Sequence, residues 1–322
     1  MSGGLLEVED LHVWFDLPQR RELHAVQGVS FSVDRGERLG LVGESGSGKT
    51  TTILALMGLL PPTAAVAGRV LLDGEDVLAR GERTVAPHRW KDVAMVFQGA
   101  MNAFNPVRRV GEQLVEPMEL HGVASGTQAM RRAGELLERV GIPAARLRSY
   151  PHEFSGGMRQ RAAIAMALAC RPKLLLADEP TTALDVMVQA QILQLLIALA
   201  DDFGLGLVLV THDLPVVAQT CTAAAVMYAG EIVETGPMDA LYHEPRHPYT
   251  RLLFAATPDL ESRDVVVSIP GNPPRLDEGI SGCPFRPRCD SAVERCGLER
   301  PGLRRVGGAH EAACHVAEQV PA

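Results

Sequence analysis

The 322-residue chain has no surplus of positive charge: 31 Lys and Arg stand against 39 Asp and Glu, for a formal net charge of −8. Nucleic-acid surfaces carry basic clusters, so this balance argues against a nucleic acid as the main partner. No basic-then-apolar run opens the chain, as a secretory signal would. One uncharged stretch, Thr50 to Gly68, approaches the length of a membrane span, but it contains Pro61-Pro62 and reads as a buried helix and a turn. Internal repeats and low-complexity tracts are absent, and the cysteines include no close C-x2-4-C pair of the common zinc sites. These absences lead to the expectation of a soluble, cytosolic protein. Its length allows a large core, either as one big domain with an appendage or as two domains.

What is present begins with phosphate chemistry. Residues 43–51, Gly-Glu-Ser-Gly-Ser-Gly-Lys-Thr-Thr, fit the pattern G-x4-G-K-S/T between the apolar run Leu39-Gly40-Leu41-Val42 and the helix-like Ile53-Leu54-Ala55-Leu56-Met57. A strand, a glycine-rich loop and a helix start therefore follow in order. Gly43, Gly46 and Gly48 let the loop turn tightly, so that N–H groups, with those of Ser45, Ser47 and Thr51, can face one anion at a positive helix end. Lys49 can reach the β- and γ-phosphates, and Thr50 can offer its hydroxyl to magnesium. A nucleoside triphosphate is the expected ligand.

Downstream, Lys173-Leu174-Leu175-Leu176-Ala177-Asp178-Glu179-Pro180 reads as a buried parallel strand ending in two carboxylates. Asp178 is placed to hold the magnesium shell, and Glu179 to orient or deprotonate an attacking water. Phe154-Ser155-Gly156-Gly157 then precedes an alanine-rich helix. There Ser155 reads as an N-cap, and the two glycines leave N–H groups bare at a second anion site. Two half-sites in one polypeptide suggest a dimer in which each serine-glycine turn closes over the other chain's phosphate loop.

With these motifs the sequence resembles the ATP-binding cassette (ABC) ATPases, Ser155-Gly156-Gly157 standing in place of their signature. The resemblance implies further roles. Gln98, after Val93-Ala94-Met95-Val96-Phe97, matches the glutamine that senses magnesium and water. Ala183-Leu184-Asp185 matches the loop contacting the partner subunit, and His212, after Leu207-Val208-Leu209-Val210-Thr211, the switch histidine. Phe15, on a strand where Leu11 and Val13 alternate with His12, matches the aromatic that stacks on adenine. Met101 and Phe104 are apolar in a loop-like segment, where importers of this family have a groove for a short helix of the membrane subunit. The implied fold is α/β, a RecA-like parallel sheet with an antiparallel β subdomain. Residues 1–255 would form the ATPase domain, with a helical subdomain over about 100–165, and residues 256–322 a C-terminal extension.

From about residue 256 prolines cluster, and four of the six cysteines crowd into the tail at C-x5-C-x6-C-x17-C: Cys283, Cys289, Cys296 and Cys314. Cys170 and Cys221 sit in apolar segments and read as buried thiols. A cytosolic setting favours metal over disulfides, and spacing alone leaves zinc and an iron–sulfur cluster both open. His247-Pro248-Tyr249-Thr250-Arg251-Leu252-Leu253, Ile269-Pro270-Gly271-Asn272-Pro273-Pro274 and Gly282-Cys283-Pro284-Phe285-Arg286-Pro287-Arg288-Cys289 look like the C-terminal extension of dipeptide and oligopeptide transporter ATPases. That resemblance implies a 4Fe–4S cluster on the four tail cysteines, with Arg286 and Arg288 offsetting the thiolate charge. It also implies ATP and Mg2+ as cofactors and a second ATPase subunit, either a paralogue, toward which Gly43-Glu44-Ser45-Gly46-Ser47-Gly48 points, or a second copy of this chain. Two membrane permeases, an extracytoplasmic solute-binding protein and a position on the cytoplasmic face of the membrane complete the implied system. Nickel chelates, opines or sugars are the alternative solutes. A chromosome-maintenance ATPase would need a coiled-coil insert or a basic face, a translation factor two cassettes, and a P-loop kinase would lack the Ser155-Gly156-Gly157 turn.

Overall fold

A computed structural model of the chain describes residues 4–18, 21–99, 103–182, 184–256, 269–277 and 279–318. The first part runs β1 (Leu6–Leu17), β2 (Arg21–Val33), β3 (Arg38–Val42), α1 (Lys49–Leu56), β4 (Ala64–Leu72), β5 (Glu75–Asp76), α2 (Glu82–Val85) and β6 (Val93–Val96). Three helices follow: α3 (Val110–Leu120), α4 (Gly126–Arg139) and α5 (Gly156–Ala167). The α/β alternation resumes with β7 (Leu174–Asp178), α6 (Val186–Phe203), β8 (Gly206–Thr211), α7 (Leu214–Thr220), β9 (Ala223–Tyr228), β10 (Glu231–Pro237), α8 (Met238–His243) and α9 (Pro248–Ala255). The tail adds α10 (Arg295–Leu298), β11 (Arg304–Gly307) and β12 (His310–Ala312).

Two sheets result, an antiparallel one in the order β2-β1-β4-β5 and a mixed one in the order β11-β12-β10-β9-β3-β8-β7-β6. Strands β9, β3, β8, β7 and β6 pair in parallel. Their near-continuous apolar composition follows from being covered on both faces. The period-2 alternation within those runs still decides which core each side chain enters. Leu175, Ala177, Leu207 and Leu209 join the helices' cluster, whereas Leu174, Leu176, Val208 and Val210 join the cluster under the antiparallel sheet and α1.

The expected uncharged segment divides differently from its sequence reading: α1 is followed by a turn, but β4 begins at Ala64 and pairs with β1. In α4, Ala129, Ala133 and Leu137 are buried on one face, and Arg131 and Glu135 form an i,i+4 ion pair on the other. Helix α6 is long and apolar enough by composition to cross a membrane, yet Ile192, Leu193, Leu196, Leu199 and Ala200 bury one face of it in the core. Phe104 is buried in the same core, while Met101 and Ala183 lie outside the described residues.

The tail departs most from expectation. Its β12 pairs antiparallel with β10 and so extends the main sheet. His310 on β12 reaches the fully buried Glu234 (Nε2 to Oε1, 2.7 Å), whose carboxylate also accepts the N–H groups of Arg246 and His247. The expected metal centre is corrected. Among the described residues no group of three or more His, Cys, Asp or Glu side chains is arranged to hold a metal ion, so neither the 4Fe–4S cluster nor zinc is supported. Cys283, Cys289, Cys296 and Cys314 are free and at least half-buried. Burial pushes the first two thiols upward and Cys314 to about 11. Arg286 does not attend a cluster but packs its guanidinium on Gly297. Cys170 and Cys221 are buried thiols as expected, each raised by burial to about 11.

Packing behind the phosphate loop is tight. A Cβ on Gly40 of β3 would lie 2.3 Å from Cγ1 of Val217 on α7. That β-branched side chain is stiff at χ1, so the strand or helix must move. Gly40→Ala is therefore expected to cost about 1–3 kcal/mol, measured by urea denaturation. An unchanged midpoint would show that this contact yields freely.

Candidate active site

Three strand ends meet at the site. β3 runs into residues 43–51, β7 ends at Asp178 with Glu179 one residue beyond, and β8, lying between them, ends just before His212. Ligand sites of open α/β sheets lie at these carboxyl ends. Gly43 and Gly48 show why the loop needs glycine. Both have positive φ, and a Cβ would fall 2.2 Å from the Met227 carbonyl at Gly43 and 2.8 Å from the Ala25 carbonyl at Gly48. The loop is thus wedged against β9 and β2, with Ser47 buried and Ser45 and Gly46 exposed at its tip.

Lys49, the first residue of α1, is buried, and its ammonium donates to the carbonyls of Gly43 (2.7 Å) and Glu44 (2.9 Å). Burial lowers its pKa, against the raising effect of Glu179, Asp178 and Glu44. The next residue, Thr50, donates its hydroxyl to Asp178 Oδ1 at 3.1 Å, and Thr51 lies half-buried in the same first turn. A hydroxyl and a carboxylate side by side are hard oxygen donors suited to Mg2+, and the narrow, N–H-lined loop beside them suits a triphosphate.

Glu179 is the hub. Its φ of 42° is left-handed, an uncommon conformation for a residue with a side chain, and its N–H is anchored on the Val210 carbonyl (2.8 Å). The carboxylate then collects three partners from separate segments. Gln98 donates Nε2 to Oε2 (2.8 Å), Thr182 its hydroxyl to Oε2 (3.0 Å), and His212 Nδ1 stands 3.1 Å from Oε1. Burial alone would raise the Glu179 pKa, but the bonds from His212 and Thr182 outweigh it and hold the group below its ordinary value. Asp178 goes the other way, pushed up mainly by burial and further by the charge of Glu179, with the Thr50 hydroxyl opposing. Thr182 was not singled out in the sequence; its place three residues after Glu179, in the turn that follows, is the signal that could have found it.

The structure brings Gln98, Asp178, Glu179 and His212 together with Lys49 and Thr50, but it does not bring Ser155-Gly156-Gly157 to this loop. Ser155 Oγ caps α5 by accepting the Met158 N–H (3.3 Å), and Asp185 Oδ1 caps α6 by accepting that of Val188 (3.0 Å). The two caps are neighbours, since a Cβ on Gly157 would lie 2.8 Å from Val188. No hydrogen bond among the described residues links residues 155–157 to residues 43–51. Phe15 packs half-buried against the core, whereas the adjacent Trp14 lies in a three-ring cluster with His24 (4.6 Å) and His12 (5.2 Å). A register shift between Val13 and Trp14 breaks the strand's alternation there.

Residues 26–182 match the family described as ABC transporter, and residues 233–296 match the Oligopeptide/dipeptide transporter, C-terminal region. The oligopeptide transport ATP-binding protein OppD of Salmonella typhimurium is 48% identical over 93% of this chain and 90% of that protein. The chain belongs to the ABC transporter ATP-binding subunits of the oligopeptide and dipeptide type. Similar relatives of this ABC ATPase include the dipeptide transport ATP-binding protein DppD of Escherichia coli, 44% identical over 97% of this chain and 96% of that one. OppD of Bacillus subtilis is 46% identical over 95% and 87% respectively. Among solved structures, the ATP-binding cassette MJ0796 in a dimeric post-hydrolysis state with ADP and Pi superposes with a TM-score of 0.64. It is 27% identical and covers 72% of this chain and 98% of its own. As an ABC ATPase the chain uses ATP with Mg2+, and the residues at the β3, β7 and β8 ends fit both.

A carboxyl whose pKa is raised on folding binds protons more tightly when folded, so it costs stability once pH exceeds its unfolded value. Asp178→Asn is accordingly expected to raise the melting temperature of the nucleotide-free protein at pH 7, by roughly 1–3 °C, while ATP hydrolysis loses its response to Mg2+. A lower melting temperature would show that the charge of Asp178 stabilises the empty site.

Proposed function

We propose that this ABC ATPase powers the import of di- or oligopeptides across the cytoplasmic membrane, and that Glu179 is the base of its hydrolysis step. One observation carries the chemistry: the Glu179 carboxylate is held by Gln98, Thr182 and His212 beside the Thr50–Asp178 pair. The second family match, over the C-terminal region, supports peptides as the solute.

In this reading residues 43–51 bind the triphosphate, Thr50, Gln98 and Asp178 bind magnesium, and Phe15 supports the adenine. Bound magnesium supplies charge neutralisation at the phosphoryl group. Lys49 exchanges its bonds to the Gly43 and Glu44 carbonyls for phosphate oxygens. Glu179, kept ionised by its donors, orients a water and accepts its proton, while His212 and Gln98 hold the carboxylate in place. Ser155, Gly156 and Gly157 act on the partner's nucleotide across a dimer, with Asp185 at the same interface. That no hydrogen bond among the described residues ties them to their own phosphate loop supports that arrangement. The partner is a paralogous ATPase, and the pair works with two permeases and an extracytoplasmic solute-binding protein, bound peripherally at the cytoplasmic face. Residues 1–255 form the ATPase domain and 256–322 the extension.

Glu179→Gln keeps the shape and loses the base, so hydrolysis is expected to fall ~10²–10⁴-fold with MgATP binding retained. Cells carrying that variant in place of the wild type should stop accumulating a labelled tripeptide but keep uptake of an unrelated solute. Hydrolysis within about threefold of wild type would remove Glu179 as base, and unchanged tripeptide uptake would remove the peptide assignment. Gly157→Asp places a carboxylate against the partner's phosphates. In a mixed dimer the lost hydrolysis should map to the other subunit's phosphate loop, and loss at its own loop would overturn the shared site.

A further inference from the structure

The phosphate loop is gripped from behind by a residue far along the chain. Arg288, 244 positions after Glu44, donates Nη1 to Glu44 Oε2 (2.6 Å) and Nη2 to Oε1 (2.9 Å), a two-pronged pair. Its side chain is 4% exposed and that of Glu44 24%. The guanidinium is fully engaged: Nε donates to the Pro270 carbonyl (2.7 Å), Tyr228 Oη lies 3.3 Å from Nη1, and the rings of Tyr228 and Phe285 flank it at 5.7 and 5.9 Å. Glu44 is fixed at its backbone as well. Its N–H donates to Tyr249 Oη (2.8 Å) from α9, and its carbonyl accepts from Lys49 (2.9 Å).

Glu44 is an acid in a loop that must receive a polyanion. Left unpaired it would repel the phosphates, and a charge left half-buried without its partner is costly. We propose that Arg288 is a positioning residue of the ATP site, neutralising Glu44 and fixing the first turn of the phosphate loop, so that the C-terminal extension is part of the nucleotide-binding machinery. The extension then serves the ATPase directly. Any force that pulls it from the core loosens the grip on nucleotide.

This rests on residues 43–51 being the triphosphate site, and the test separates the two ideas. Binding of MgATP to full-length variants is measured by calorimetry at low and high salt, together with steady-state hydrolysis. Arg288→Gln should weaken binding about tenfold at low salt and less at high salt, with KM rising more than kcat falls. Arg288→Lys keeps the charge but loses the fork, and should fall between the two. The double variant Glu44→Gln/Arg288→Gln should recover to within roughly threefold of wild type, since the repelling charge is gone. A merely structural role predicts no such rescue, because the second substitution rebuilds none of the contacts with Pro270, Tyr228 or Phe285. Should Arg288→Gln not fold, Glu44→Gln carries the test: it leaves Arg288 as an added cation and should bind MgATP roughly two- to threefold tighter. Wild-type affinity in Arg288→Gln, no recovery in the double variant, or weaker binding in Glu44→Gln overturns the proposal. Lys49→Ala is the control. Lost binding there with a flat Arg288 series sinks only the role of Arg288, whereas retained binding overturns the loop assignment as well.

Discussion

The parallel ladder joining β3, β8 and β7 is the constraint on which the site depends. Val42 pairs with Thr211 and Asp178 with Val210, so the phosphate loop, the two acids and His212 leave the sheet side by side. The Glu179 N–H then takes the Val210 carbonyl, extending the ladder by one bond into the turn. Strand side chains alternate with period two, so slipping β7 by one residue would exchange the faces of Asp178 and Ala177. The two cores prevent this, because each strand buries alternate residues in both and neither face can be traded for the other.

Local strain and local charge follow from that frame. Glu179 occupies a left-handed conformation where the ladder ends, with its side chain held at both oxygens. The neighbouring acids are driven in opposite directions, Asp178 up by burial and Glu179 down by its donors. One residue's separation along a strand end yields two different environments.

Much of this was legible in the sequence because it is local. The glycine loop, the acidic strand end, the Ser155 cap and the amphipathic α4 each declare themselves within a dozen residues, by turn chemistry or by periodicity. What stayed hidden is non-local or too short to carry a period. The pairing of Arg288 with Glu44 spans most of the chain, and β11 and β12 have too few residues to alternate visibly. The tail cysteines misled for a related reason: spacing says how far apart thiols are along the chain, not whether the fold arranges them to hold a metal. The expected role of Phe15 was blurred by the irregularity between Val13 and Trp14, which turns adjacent rings to different surroundings.

The hairpin formed by β11 and β12 has a meaning for solubility. Without it β10 would present a row of open N–H and C=O groups at the rim of a large, apolar sheet, a template for pairing with another chain. The hairpin occupies that rim and replaces it with a strand of four residues whose Arg304 and Arg305 are exposed. The opposite rim is β6, also four residues long. The molecule thus ends its principal sheet on both sides in strands too short to recruit neighbours, one of them guarded by charge. That suits a subunit obliged to associate only through chosen surfaces.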